Sequence, residues 1–273
     1  MTVSSRPSPR ILVFDSGLGG LSVVHEISIS NIDYEIYYCA DTAYFPYGEK
    51  SDQMLTERVP LIIAMVAEKC AADLIVIACN TASTLALERV RAVVKVPVVG
   101  VVPAIRPAAA LTKSGVIGLL GTPNTIGHPY TDKLIEDFAQ GVVVVRHGAI
   151  GLAATAEDML SGGSIDQGII SASINGLFGQ SGGDRMDVVV LACTHYPHLR
   201  AHLAALAPHT VTWIDSGAAI ARRVGSLLNG PHGGYAQLRR AFTTGGHDSA
   251  TSFGLSKWGF ETVIPLSTLR APD

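Results

Sequence analysis

The sequence predicts an α/β fold of two pseudo-symmetric halves, each a parallel sheet with crossover helices. Three observations carry this. Short apolar, β-branched runs alternate along the chain with longer segments of helical period. A segment around one cysteine recurs around another, 114 residues further on. And 273 residues that are 48% hydrophobic and 16% charged, with mean hydropathy +0.33, can build one large α/β domain or two ordinary ones. The same composition excludes a disordered chain. A net charge of -3 gives no basic field for nucleic acid.

In chain order, strands are expected at ILVF (11–14), EIYYCA (35–40), LIVIAC (74–79), VPVVGVV (96–102), GVIGLLG (115–121), VVVVR (142–146), DVVVLAC (187–193) and VTWID (211–215). Continuous apolar runs suit strands covered on both faces. After the first run, Asp15-Ser16-Gly17-Leu18-Gly19-Gly20 reads as a Gly-rich turn opening a helix at LSVVHEI. Ser22 replaces the third glycine of the dinucleotide fingerprint, so that match is weak. The turn's N–H groups suit a carboxylate or phosphate, and Asp15 suits an ammonium or the capping of its own turn. Pro46 and Gly48 make a rigid turn around Tyr47.

From Met54, the residues Leu55, Val59, Ile62, Val66 and Cys70 share one helical face, and Pro60 is expected to kink that helix or delay its start. Another helix opens after Cys79, with Asn80 or Thr81 as N-cap, and buries Ala82, Leu85, Ala86, Val90, Val93 and Val94. SGGS (161–164) and GQSGG (179–183) join elements of the second half, and NGPHGG (229–234) precedes a C-terminal tail expected to pack on the first half. The longest apolar stretch, 96–111, is broken by Pro97, Pro103, Arg106 and Pro107, whereas a bilayer span needs ~20 apolar residues. The first ten residues are too polar and Pro-broken for a signal peptide, so a cytoplasmic location is expected.

The repeat sets DLIVIACNT (73–81) over DVVVLACTH (187–195), and in the same frame 98–105 over 212–219. ILVFDSG (11–17) resembles VIGLLGT (116–122) at a slightly different offset. A duplication gives each half a central strand ending in a cysteine, on the side where open α/β sheets bind ligands. Cys79 and Cys193 then face one cleft with a thiol on each wall. Beside a helix N-terminus, a thiol is expected to have a lowered pKa. Cys39 and Cys70 read as buried and inert. With four cysteines and no C-x-x-C, no disulfide framework is implied. His195 lacks the companion pair of a zinc site and reads either as a base beside Cys193 or as a core histidine. None of Lys50, Lys69, Lys95, Lys113, Lys133 and Lys257 sits in a pyridoxal phosphate motif, so neither cofactor nor metal is expected.

FDSGLGG (14–20), FPYG (45–48), ACNTAS (78–83), VVPAIRPA (101–108), ACTHYP (192–197) and IDSG (214–217) together resemble the glutamate racemases, of the cofactor-independent aspartate/glutamate racemase family. The resemblance runs from about 11 to 225. It implies two pseudo-symmetric domains with the active-site cleft between them: 1–100 with 210–273, carrying Cys79, and an inserted 101–209, carrying Cys193. It implies Cys79 and Cys193 as the catalytic pair, serving the D- and L-substrate respectively, with Asp15, His195 and Glu157 beside them. Substrate contacts are implied at Asp15, Ser16, Pro46, Tyr47, Gly48, Asn80, Thr81, Thr122, Thr125, Thr194 and His195. The implied partner is glutamate, with no nucleic acid and no membrane, and a homodimer is compatible with it. Supply of D-glutamate for peptidoglycan follows by analogy.

The sequence departs from the family at Ala192, where glycine is usual. It departs further at 148–157, where the family's cysteine and two prolines are absent and spacing alone aligns Glu157 with an auxiliary glutamate. The alternatives are an aspartate or hydantoin racemase on the same scaffold, or a non-catalytic two-domain ligand-binding protein. CTHYP and PYG weigh against the first, and the two retained cysteines against the second.

Overall fold

The computed structural model describes residues 8–30, 34–228, 239–246 and 248–266, and the loop expected at 229–234 lies outside them. All eight expected strands form: β1 (Arg10–Asp15), β2 (Glu35–Ala40), β3 (Leu74–Ile77), β4 (Val98–Gly100), β5 (Val116–Gly121), β6 (Val143–Gly148), β7 (Val188–Ala192) and β8 (Thr212–Ile214). Two more follow, β9 (Arg239–Thr243) and β10 (Thr262–Pro265). Sequence reading expected only a tail there. RRAFT opens on two arginines and TVIP ends on proline, so neither carries a clear apolar run.

The helices are α1 (Leu21–Ser28), α2 (Asp52–Cys70), α3 (Asn80–Val93), α4 (Ile105–Leu111), α5 (Pro123–Gly127), α6 (Pro129–Phe138), α7 (Leu152–Leu160), α8 (Gln167–Phe178), α9 (Arg200–Leu206), α10 (Gly217–Leu227) and α11 (Ser249–Ser256). Ser51 caps α2 by accepting from Met54 N, and the helix ends at Ala71 in the left-handed region at φ 48°. It starts at Asp52 and continues through Pro60, so the proline does not delay its start. An interior proline costs ~3 kcal/mol. Val59, Ile62, Ile63 and Val66 are fully buried around it, and each such side chain contributes about 1.5–3 kcal/mol. Packing therefore outweighs the lost bond.

Among the described residues every strand pairing is parallel, in two sheets of order β10-β9-β2-β1-β3-β4 and β6-β5-β7-β8. The run β2-β1-β3-β4 recurs as β6-β5-β7-β8, so the repeat seen around the cysteines is a repeat of topology. β9 and β10 extend the first sheet past β2. The sheet partition corrects the boundary expected at 210: β8 pairs with β7, Val190 opposite Ile214, so the second sheet continues through Ile214. In the first sheet, alternate residues feed two layers. Ile11, Val13, Tyr38 and Val76 pack with Val24 of α1 and Val224 of α10, while Leu12, Phe14, Ile75 and Ile77 pack with α2 and α3. The second sheet is buried on both faces in the same way. This leaves the carboxyl ends of β1, β3, β5 and β7 to build the site.

Candidate active site

Cys79 lies two residues past β3 and is itself the N-cap of α3, its sulfur accepting from Ala82 N at 3.5 Å. Asn80 and Thr81, expected as caps, form the first turn instead. The expected lowering of its pKa is also reversed. Burial, reinforced by the Asp15 carboxylate, pushes the Cys79 thiol up and outweighs the Ala82 N–H and the Ser16 hydroxyl. Cys193 directly follows β7, but a short turn intervenes before any α-helix: Tyr196 N donates to Cys193 O at 3.1 Å, and α9 begins only at Arg200. The two cysteines thus share strand ends but not the helix-terminus context expected for both.

Both thiols line one small, partly enclosed cavity. Ser16, Asn80 and Thr81 line it from the strand ends of the first half, and Pro46, Tyr47 and Gly48 from the loop after β2. Thr122, Thr194 and His195 line it from the second half. Phe45 and Ala153 complete the wall, and neither was singled out from the sequence. Asp15, Thr125 and Glu157 stand one hydrogen bond behind it.

Asp15 is fully buried, and burial pushes its carboxyl up despite His195 and the Thr194 hydroxyl. Its Oδ1 accepts from Gly17 N and from the Ser16 hydroxyl, both at 3.1 Å, and its Oδ2 accepts from the Thr194 hydroxyl at 2.8 Å. It therefore caps its own turn and ties the two halves. Ser16 Oγ in turn lies 3.9 Å from Cys79 Sγ. The hydroxyls of Thr81, Thr122 and Thr125 form a trio at 3.0–3.4 Å.

On the other wall, Cys193 Sγ is 3.8 Å from His195 Nδ1, and His195 Nε2 is 2.8 Å from Glu157 Oε2. Burial alone would lower His195, but the bonds to Cys193 and Glu157 outweigh it and hold the imidazolium well above its usual range. Glu157, on α7, also accepts from Leu18 N at 2.8 and 3.0 Å. A Cβ on Gly17 would stand 2.6 Å from Glu157 Oε1, and one on Gly19 only 2.2 Å from His195 Nδ1. The Gly-rich turn is thus pressed against the His195–Glu157 pair. Ser22, which breaks the dinucleotide spacing, has its hydroxyl 2.9 Å from Thr194 O. His198, also missed, lies 3.1 Å from Gly19 O, and burial lowers it to about 4. No motif marks these long-range contacts. Among the described residues, no three His, Cys, Asp or Glu side chains gather to hold a metal, and no helix is long and apolar enough to cross a membrane.

Residues 27–224 match the family model for Asp/Glu/hydantoin racemases. The chain is 49% identical over 224 residues to the glutamate racemase of Sphingopyxis alaskensis, covering 82% of this chain and 84% of that one. It is 47% identical over 223 residues to that of Brucella ovis, covering 81% and 80%. The crystal structure of Escherichia coli glutamate racemase, in complex with L-glutamate and the activator UDP-MurNAc-Ala, is similar with a TM-score of 0.87 at 39% identity, covering 97% of this chain and 100% of that one. That of the isoform RacE1 from Bacillus anthracis gives 0.79 at 27% identity, covering 95% and 98%. With a family match over most of its length and relatives near half identical, the chain belongs to the aspartate/glutamate/hydantoin racemase family, in its glutamate racemase group.

Proposed function

We propose that the protein interconverts L- and D-glutamate without a cofactor, by proton transfer between Cys79, Cys193 and the two faces of the α-carbon. The observation that carries this reading is that both thiols, each from an equivalent strand end of a different half, line one cavity. Inverting a carbon centre requires a proton removed from one face and another delivered to the opposite face. Two opposed thiols do this without turning the substrate over: one acts as thiolate base, the other as acid, and the roles exchange with direction.

The α C–H is weakly acidic, so charge developing on the substrate must be stabilised. The N–H groups at the start of α3 and the hydroxyls of Thr81, Thr122 and Thr125 supply donors for carboxylate oxygens. Each thiol has a proton partner. Asp15, its carboxyl raised by burial, reaches Cys79 through Ser16, and His195, charged by Glu157, stands beside Cys193. Cys79, buried and pushed up, rests as the thiol. We place the enzyme in the cytoplasm, supplying D-glutamate for peptidoglycan, by analogy with the family. Circular dichroism on L-glutamate tests the reading. Cys79→Ser and Cys193→Ser should each abolish racemisation and leave the fold intact. Activity within about tenfold of wild type in either variant removes the two-thiol mechanism.

A further inference from the structure

The group that anchors the substrate loop lies outside the cavity. Asp41, directly after β2, is fully buried. Its Oδ1 accepts from Arg58 Nη2 at 2.8 Å and from the Thr244 hydroxyl at 2.5 Å. Its Oδ2 accepts from Arg58 Nε at 2.8 Å and from the Tyr47 hydroxyl at 2.5 Å. A carboxylate offers about four acceptor sites, so Asp41 has none left for a substrate or for proton transfer. Its donors come from the loop itself, from α2, and from the turn after β9. Arg58 also lies 3.7 Å over the Tyr44 ring. The Thr244 oxygen accepts from Ala43 N at 3.1 Å, and Gly245 N donates to Thr42 Oγ1 at 2.9 Å. A Cβ at Gly245 would stand 2.6 Å from Thr42 Oγ1, so the two turns approach closely there. The inner edge of the loop is therefore bonded to a turn some two hundred residues away in sequence.

We propose that Asp41, Arg58 and Thr244 are positioning residues that fix the cleft wall made by Tyr47 and Gly48, so that the C-terminal strand β9 is a working part of the substrate site. The functional half of this inference rests on glutamate being the substrate. Tyr47 lines the cavity with its hydroxyl tied to Asp41, and Gly48 is pressed on Thr122, where a Cβ would come within 2.9 Å of Thr122 Cβ. Loosening the clamp moves this wall relative to the threonine trio. A buried carboxylate with several partners is sensitive to the loss of one.

The test uses the full chain carrying Thr244→Val, which keeps the shape and loses the hydroxyl, or Thr244→Ser, which keeps the hydroxyl. Loss of a hydrogen bond to a buried charge should speed amide exchange over 43–48 roughly tenfold in the valine variant, read by hydrogen-exchange mass spectrometry. KM for glutamate should rise by about the same factor, with kcat within about twofold, because a displaced wall weakens binding rather than proton transfer. Thr244→Ser should restore both. A merely structural role would lower Tm and leave local exchange and KM alone. Unchanged exchange over 43–48 in Thr244→Val, or a KM rise shared equally by Thr244→Ser, overturns the clamp. If wild type fails to turn over glutamate, the substrate reading falls by itself, and the exchange data still decide the clamp.

Discussion

Substituting Gly19 by alanine tests how tightly the Gly-rich turn is pressed on the His195–Glu157 pair of the proposed mechanism. Gly19 is not among the positive-φ glycines, so alanine brings no backbone strain. The cost is steric. The added Cβ would stand 2.2 Å from Nδ1, 2.5 Å from Cε1 and 2.6 Å from Cγ of His195, more than 1 Å inside normal contact. The ring has nowhere to go: it is 2% exposed, lies 5.3 Å from the Phe45 ring, and is held by Glu157. Overpacking of this kind costs ~1–3 kcal/mol, a fall in Tm of roughly 3–10 °C for a chain of this size. A shift of about 1 Å in a catalytic group costs on the order of 100-fold in rate. The assay is racemisation by circular dichroism, with α-hydrogen exchange in deuterated water followed from each enantiomer by proton NMR. We expect kcat/KM to fall about 100-fold, with exchange from L-glutamate hit harder because His195 adjoins Cys193. Gly127→Ala is the control: its Cβ meets nothing within 4 Å, and activity should be unchanged. A Gly19→Ala enzyme within about threefold of wild type and with unaltered Tm would refute the packing argument.

Three further outcomes follow from the site. His195 has a folded pKa above its unfolded value of about 6.5, so the stability it contributes is complete below that pH and is lost as pH rises through the raised value. Glu157→Gln should therefore narrow the stability advantage near pH 6 and move the alkaline limb of kcat/KM to lower pH, and an unmoved or raised limb would contradict the pairing. With a β-substituted substrate carrying a good leaving group, only the first proton abstraction is needed. Cys79→Ser should still eliminate from the L-form and Cys193→Ser from the D-form, and if both variants process the same enantiomer the thiols do not serve opposite faces. Activity should survive dialysis against a chelator and treatment with hydroxylamine. Loss restored only by zinc or pyridoxal phosphate would overturn the cofactor-free mechanism.

The central strands were legible because a strand covered on both faces carries a near-continuous apolar run, as LIVI of β3 and VIGLLG of β5 do. β9 and β10 were not, because RRAFT opens on two arginines and TVIP ends on proline, although β9 lies inside the sheet between β10 and β2. The chemistry of Cys79 was misread for a related reason. Position at a helix N-terminus can be inferred from local sequence, and it favours the thiolate. Burial and the approach of Asp15 cannot be inferred that way, and they win.

The pairing of Cys79 with Cys193 was present in the sequence itself, as a repeat whose period survives folding because each copy is one supersecondary unit with the same strand order. Residues 16, 46–48, 80–81 and 194–195 were implied by the resemblance to the glutamate racemases rather than by the repeat, and the strand-end loops bring them to one cavity. Only the tertiary structure decided what stands behind them. Glu157 meets His195 across 38 residues, Thr194 meets Asp15 across 179, and Thr244 meets Asp41 across 203. Hydrogen bonds of this kind act over a few ångströms and leave no periodic trace in the chain, so they exist only once the two sheets and the returning C-terminal segment have packed.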